Sequence, residues 1–316
     1  MESLRPKLEA AGGGDLLGEQ GPIILVEASD VITMKDKGLA MALKAKRKGS
    51  KTSMAVGMDL VQSGQAQAFV SSGNTGGALA TAFYRLGVIP GVDRPALTGL
   101  FPVKGGYCAV LDIGANPELQ PENLLQFAVM GSVYASKVRG IRQPRVGLLS
   151  NGEEAGKGNQ LVKGAYPLLE ASGLNFIGNV EGKELFGGQA DVVVTDGFTG
   201  NVLLKASEAV AKMLVDTLRE ELKGSTRAKI GALLAKPAFT RLKALLDPGE
   251  VGAAPLLGIN GLVFIGHGRS DTRATLSAIK TARQAVQADL LAALKGAIQE
   301  QLAHLQATPP DRQDQH

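Results

Sequence analysis

Lys157 stands in the run Gly156-Lys157-Gly158-Asn159, and Asn201 closes the run Asp196-Gly197-Phe198-Thr199-Gly200-Asn201. A flexible cation among glycines packs poorly and reaches a ligand well, while an asparagine amide both donates and accepts. Related Gly/Asn corners follow other apolar runs. Ser72, Gly73, Asn74, Thr75 and Gly76 come after Phe69-Val70; Asp112 and Asn116 enclose Ile113-Gly114-Ala115 after Ala109-Val110-Leu111; Asn260-Gly261 lies just ahead of Leu262-Val263-Phe264-Ile265. Glycine turns with positive φ and lets a ligand approach the backbone, and asparagine tolerates left-handed geometry. Corners of this kind, opening helices, suit an anion held by backbone N–H groups and a helix dipole. The chemistry they predict is phosphate binding and stabilisation of an oxyanion. Asn201 also fits the N-cap of a helix. His267, after Leu262-Val263-Phe264-Ile265, fits either a proton donor or a satisfied strand-end histidine.

Other chemistries lack their residues. Gly152-Glu153-Glu154-Ala155-Gly156-Lys157-Gly158 is one residue short of a phosphate-binding P-loop and has Gly158 where a metal-binding Ser or Thr belongs. Gly266-His267-Gly268-Arg269-Ser270-Asp271 ends in Asp where a dinucleotide fingerprint needs Gly. The histidines are His267, His304 and His316, and none pairs with Cys or another His at ligand spacing. No metal and no cofactor is expected, and a carboxylate-only Mg²⁺ site stays open. Cys108 lies inside Tyr107-Cys108-Ala109-Val110-Leu111 and reads as a buried small apolar residue in a reducing compartment. A net charge of +4 with mixed signs and no Trp gives no nucleic-acid footprint. No apolar run approaches the roughly 18 to 20 residues that span a bilayer.

With 316 residues and 44% hydrophobic content, the chain can bury a large core. Strand-like runs alternate with helical stretches, which predicts an α/β fold with a mainly parallel sheet and helices on both faces. Strands are expected at 23–26, 68–70, 96–101, 107–113, 146–149, 175–177, 191–194 and 262–265. Helices are expected at 37–48, 53–63, 76–86 and 121–139, the last with Pro121 as its first helical residue. From Gly200 onward, Val202, Ala206, Ala209, Val210, Met213, Leu214 and Leu218 recur at helical spacing, which reads as core packing of a long helix ending near Gly224. Two short cationic helices around Lys236-Pro237 then form an amphipathic hairpin over 225–246, suited to an anionic membrane surface or to closing a core. Residues 309–316 read as a disordered tail.

Taken in order, several blocks resemble the bacterial phosphate acyltransferases, which convert acyl-acyl carrier protein to acyl phosphate. They are Ser72-Gly73-Asn74-Thr75-Gly76, Gly91-Val92-Asp93-Arg94-Pro95-Ala96-Leu97, Leu111-Asp112-Ile113-Gly114-Ala115-Asn116, Gln126-Phe127-Ala128-Val129-Met130-Gly131-Ser132-Val133-Tyr134, Gly156-Lys157-Gly158-Asn159, Asn175-Phe176-Ile177-Gly178-Asn179-Val180-Glu181, Asp196-Gly197-Phe198-Thr199-Gly200-Asn201-Val202, Ala254-Pro255-Leu256-Leu257-Gly258 and His267-Gly268. The resemblance covers 23–288. It implies a three-layer α/β/α Rossmann-like sandwich related to phosphotransacetylases and isocitrate/isopropylmalate dehydrogenases, built as one unit over 1–308 with a protruding hairpin. It also implies a cytoplasmic homodimer that touches the membrane through 225–246. The partners that the resemblance implies are acyl carrier protein and inorganic phosphate, with the downstream glycerol-3-phosphate acyltransferase as a further candidate.

The family's lysine and asparagine correspond to Lys157 and Asn201, expected to be catalytic, with His267 giving a proton to the departing sulfur. Ser72, Gly73, Asn74, Thr75, Gly76, Asp112, Asn116, Asn159, Asp196 and Asn260 are expected to bind substrate. Lys137, Arg139, Arg142 and Arg145 form a candidate patch for the acidic carrier protein. Family members begin with a further strand and an Asp-Ala-Met-Gly-Gly-Asp loop, so about 30 residues, on the order of one βα unit, are expected to precede this sequence. Two other readings stay open: a phosphotransacetylase acting on acyl-coenzyme A, and a truncated non-catalytic scaffold.

Overall fold

The computed structural model describes residues 4–17, 21–47, 49–246, 252–268 and 270–307. Eight strands are β1 (Ala68–Ser71), β2 (Ala96–Val103), β3 (Gly106–Leu111), β4 (Val146–Leu149), β5 (Phe176–Val180), β6 (Val192–Val194), β7 (Ala253–Leu257) and β8 (Leu262–Gly266). They form one sheet in the order β1-β8-β7-β2-β3-β6-β4-β5. The pairs β1/β8, β3/β6, β6/β4 and β4/β5 are parallel, whereas β8/β7, β7/β2 and β2/β3 are antiparallel. The mainly parallel expectation therefore holds in the two arms of the sheet and fails at its centre.

That centre is narrow. β2 meets β7 only at Ala96↔Leu257 and Leu97↔Leu256, then pairs with β3 alone from Thr98 to Val103. The antiparallel steps also set directions: β1, β8 and β2 run one way, and β7, β3, β6, β4 and β5 run the other. The C-terminal ends of β1 and β8 consequently open at the sheet edge opposite those of β3, β6 and β4.

Twelve helices are described: α1 (Arg5–Ala10), α2 (Gly38–Lys46), α3 (Ser53–Gln62), α4 (Thr75–Leu86), α5 (Pro121–Lys137), α6 (Gln160–Glu170), α7 (Gly182–Phe186), α8 (Gly197–Lys223), α9 (Thr226–Leu234), α10 (Lys236–Leu246), α11 (Thr272–Gln287) and α12 (Leu290–Ala307). The strands read as continuous apolar runs because both of their faces are covered. Ala109 and Leu111 of β3 join Phe127 and Met130 of α5 in one core; Cys108 and Val110 join Met58 of α3 and Ala78 of α4 in the other. Pro121 does start α5, where a missing N–H costs nothing, and ten of its 17 residues are buried. A Cβ at Gly131 would sit 2.6 Å from Val192 and 2.9 Å from Leu111, so glycine there sets how closely α5 approaches the sheet.

Two expectations are corrected. Residues 23–26 form no strand; beyond a single bridge from Ile23 to Leu17 they have no ladder partner among the described residues, and Ile24 and Val26 are exposed. An apolar run alone does not make a strand without a neighbour to receive its hydrogen bonds. The α8 stripe is not core packing either: only Gly197 and Gly200 are buried, while Val202, Val210, Met213, Leu214 and Leu218 face outward. A helix of 27 residues is about 40 Å long, and the three-residue strand before it spans only about 10 Å, so α8 outruns the sheet that could cover it. α9 and α10 follow, divided at Ala235, with no buried position among their described residues. No described helix is long and apolar enough to cross a membrane. The tail 309–316, Arg269 and the side chain of His304 lie outside the described residues.

Candidate active site

The corner after β3 is built around Asp112, which is fully buried. Its Oδ1 accepts the backbone N–H groups of Leu97 (3.3 Å), Gly114 (3.0 Å) and Ala115 (2.8 Å), and its Oδ2 accepts the Asn116 backbone (2.7 Å) and side-chain Nδ2 (2.9 Å). Burial pushes the carboxyl pKa upward, and the donors of Ala115, Asn116 and Gly114 pull against it. The backbone nest over 114–116 thus already holds an anion, supplied by the chain itself. Asn116 gives its remaining side-chain hydrogen to Pro95 O at 2.7 Å. The Asp112 carboxylate and both Nδ2 hydrogens of Asn116, residues expected as substrate ligands, are engaged in shaping the corner.

That frame fixes the start of α8. Gly197 N donates to Asn116 O at 2.7 Å, and a side chain at Gly200 would overlap the Asp112 carbonyl. Asp196 is the N-cap, accepting Thr199 N (2.8 Å) and Thr199 Oγ1 (2.7 Å). The cap role open to Asn201 therefore belongs to Asp196, five residues earlier. Asn201 instead projects beside Gly114, its Cγ 3.7 Å from where a Gly114 side chain would begin. It is exposed, and its amide takes no hydrogen bond among the described residues.

β4 lies next to β6, so the loop 150–159 leaves the sheet beside this corner. Lys157 N donates to Glu154 O (2.9 Å) and Gly158 N to Asn151 Oδ1 (3.0 Å), with Gly158 at φ +98°. Asn159 caps α6 through Val162 N at 3.0 Å. The Lys157 side chain is exposed and has no ion pair among the described residues.

The corner after β1 is made differently. Asn74 Oδ1 accepts Gly77 N at 2.9 Å, capping α4, and its Nδ2 donates to Thr33 O and Asp36 O, both at 3.0 Å. This amide straps the turn 33–36 over the helix start. Gly73, Gly76 and Gly268 face the Cε methyls of Met54, Met41 and Met34, respectively, at 2.8, 3.1 and 3.2 Å from a notional Cβ. Ser72 Oγ lies 2.9 Å from such a Cβ on Gly266, which brings Ser72 beside His267. The hydroxyls of Ser72 and Thr75 make no hydrogen bond among the described residues. His267 is half-exposed, with Nε2 3.8 Å from Glu208 Oε1 on α8. Glu208 follows Asn201 by seven residues, about 10 Å along the helix, so α8 connects the two corners. Asn260 stands apart, at the other end of β8: its N–H donates to Gly87 O (3.0 Å), and it lines a cavity of about 340 Å³ with Ile89, Pro90, Lys295 and Gln299.

The family model described as fatty acid synthesis protein matches residues 19–293. The chain belongs to this family. It is 46% identical to a phosphate acyltransferase of Elusimicrobium minutum over 297 residues, covering 94% of this chain and 85% of that protein. It is 45% identical to a phosphate acyltransferase of Pelotomaculum thermopropionicum over 298 residues, covering 94% and 84% of the two chains. The solved structure of a phosphotransacetylase from Streptococcus pyogenes shares the fold, with a TM-score of 0.58 at 19% identity over 90% of this chain and 84% of that one.

Within this fatty acid synthesis family member, Cys108 is completely buried and its thiol is pushed up to about 12, chiefly by that burial. Arg145 is not a free docking cation: it grips Asp191 through Nε (3.0 Å) and Nη2 (2.9 Å), leaving Lys137, Arg139 and Arg142 exposed in that patch. Sequence reading missed Glu208, the three methionines and the 33–36 turn. None sits in a Gly/Asn run, and each reaches its corner from a distant part of the chain.

Proposed function

We propose that this protein transfers the acyl group of an acyl-acyl carrier protein thioester to inorganic phosphate, releasing acyl phosphate for phospholipid synthesis. The observation that carries this reading is identity near 45% with phosphate acyltransferases over 94% of the chain. A phosphate oxygen attacks the thioester carbonyl carbon; the tetrahedral oxyanion collapses, the C–S bond breaks with its electron pair on sulfur, and a proton returns to the thiolate. Phosphate is already an anionic nucleophile, and a thiol of pKa near 8.5 leaves readily, so positioning and electrostatics remain as the tasks.

In this proposal Lys157 neutralises phosphate and Asn201 donates to the oxyanion at the ends of β3, β6 and β4, while the Ser72, Gly73, Asn74, Thr75 and Gly76 backbone binds substrate from the β1 corner, joined to them by α8. His267, beside Glu208, returns the proton. Asp112, Asn116, Asp196 and Asn159 act by shaping the corners that present these groups.

The architecture is read as one Rossmann-like α/β/α sandwich of the isocitrate/isopropylmalate dehydrogenase type. The outward α8 stripe suits a second copy of the chain. The hairpin 225–246, with Arg227, Lys229, Lys236 and Arg241 beside exposed Ile230, Leu233 and Leu234, suits an anionic membrane surface near the next acyltransferase. The test incubates purified protein with phosphate and either acyl-acyl carrier protein or acyl-coenzyme A, and traps acyl phosphate as hydroxamate. Product from the carrier-protein thioester alone supports the proposal. Product only from acyl-coenzyme A makes it a phosphotransacetylase, and none from either leaves a binding role.

A further inference from the structure

Lys157 sits in a ten-residue loop (150–159) containing Gly152, Gly156 and Gly158, a composition that favours many conformations. Inside the loop, only Lys157 N to Glu154 O and Gly158 N to Asn151 Oδ1 restrain its middle. Outside restraint comes from the corner between β5 and α7. Asn179 Nδ2 donates to Glu154 O at 2.8 Å, so the carbonyl that receives Lys157 N is itself held from β5. Lys183 Nζ lies 2.7 Å from Glu153 Oε1 and 3.3 Å from Glu184 Oε1. Those two carboxylates, Glu153 first, hold the Lys183 ammonium above its usual range.

Two members of the socket, Glu184 and Asn179, are buried. Glu184 is only 6% exposed, and its Oε2 accepts Glu181 N at 3.0 Å in a capping box. Asn179 is 5% exposed, and its Oδ1 is buried without a hydrogen-bond partner. Burying an unpaired amide oxygen is unfavourable, and leucine of similar size would avoid it. Asparagine at this position gains one thing that leucine cannot supply, the bond to Glu154 O. From this geometry we infer that Asn179 and Lys183 are positioning residues that hold the 150–159 loop so that Lys157 meets phosphate. The inference rests on the proposed role of Lys157.

The experiment compares Asn179→Leu, Lys183→Ala, Lys183→Arg and Lys157→Ala by amide hydrogen exchange over 151–158 and by steady-state kinetics in phosphate. Asn179→Leu removes the tether together with the unpaired oxygen, so it is expected to fold with an unchanged melting temperature while exchange in the loop accelerates. Asn179→Leu and Lys183→Ala should raise the KM for phosphate about tenfold, below the roughly hundredfold cost of a full ångström of misplacement, with the KM for the acyl donor unchanged. Lys183→Arg should restore most of the loss. Unaltered loop exchange in both tether variants overturns the inference. So does faster exchange with wild-type kinetics while Lys157→Ala is impaired. Wild-type kinetics in Lys157→Ala as well would instead remove the underlying role of Lys157, and the inference with it.

Discussion

The corners after β3 and β1 carry the same signature, glycine and asparagine behind an apolar strand, yet they are different devices. At the first, Gly197 and Gly200 press against the backbone of Asn116 and Asp112, and a buried carboxylate fills the nest of N–H groups. At the second, Gly73, Gly76 and Gly268 face the tips of Met54, Met41 and Met34, and an asparagine straps a distant turn in place. Backbone cannot yield to a change, whereas an unbranched thioether can swing away. One corner is a fixed mount whose free side-chain amide, among the described residues, is that of Asn201; the other is adaptable and offers Ser72, Thr75 and His267. What a glycine does is decided by the atoms it faces.

The largest expected effect sharpens the role of the fixed mount. Removing one oxyanion donor costs roughly 10² to 10³ in rate, so Asn201→Ala should lower kcat by that order with stability near wild type, because Asp196 and not Asn201 caps α8. Full turnover in that variant would leave the amide without a catalytic task. Next comes a direct contrast between the corners. Gly200→Ala must push α8 off the Asp112 carbonyl and should destabilise the protein by about 1 to 3 kcal/mol, as overpacking does elsewhere, with activity falling alongside. Gly76→Ala asks only that Met41 Cε move a few tenths of an ångström, so its cost should stay below about 1 kcal/mol. Thermal unfolding of the two variants checks this, and equal losses would break the distinction.

Much of the fixed corner was legible in the sequence, because glycine after a strand and before a helix has few other uses. Asp112, Asn116, Asp196 and Asn201 do gather there, and α5 begins at Pro121 as its type predicts. Direction was not legible. Residue type does not say that Asp112 turns inward, or that the hydrogens on Asn116 Nδ2 are spent on Pro95 and Asp112. Periodicity in α8 announced an apolar stripe without saying what covers it, and the apolar run at 23–26 did not reveal that it lacks a ladder neighbour among the described residues. Contacts between remote segments were equally silent: Asn179 meets Glu154 from 25 residues away and Asn74 meets Thr33 from 41.

A smaller effect tests the adaptable corner. His267→Gln should reduce kcat about tenfold, below the usual 10² to 10⁴ of general acid catalysis, since a thiolate leaves with little help. The deficit should disappear with a thioester of a more acidic thiol. A loss that persists with that substrate would mean that His267 supports the corner rather than the leaving group.

The smallest effect concerns the strap. The Asp36 carboxylate is lowered from 3.8 to about 2, first by the Thr33 backbone N–H at 2.7 Å, then by Lys44 at 3.0 Å and by the Thr33 hydroxyl. Because the folded-state value lies below the unfolded one, its contribution is complete above pH 3.8 and is lost as pH falls through about 2. Asn74 grips the carbonyls of this same turn, so protonating Asp36 should loosen the segment carrying Met34, at a lower pH than Asp112, raised by burial, takes its own proton in the fixed mount. The methyl NMR signals of Met34 and Met41 should shift as pH falls through about 2, below the titration of Asp112, while that of Met130, buried behind β3, holds its position over that step. Asp36→Asn should abolish the shift. If Met130 moved with Met34, acid would be opening the whole fold, and the independence of the two corners would be lost with it.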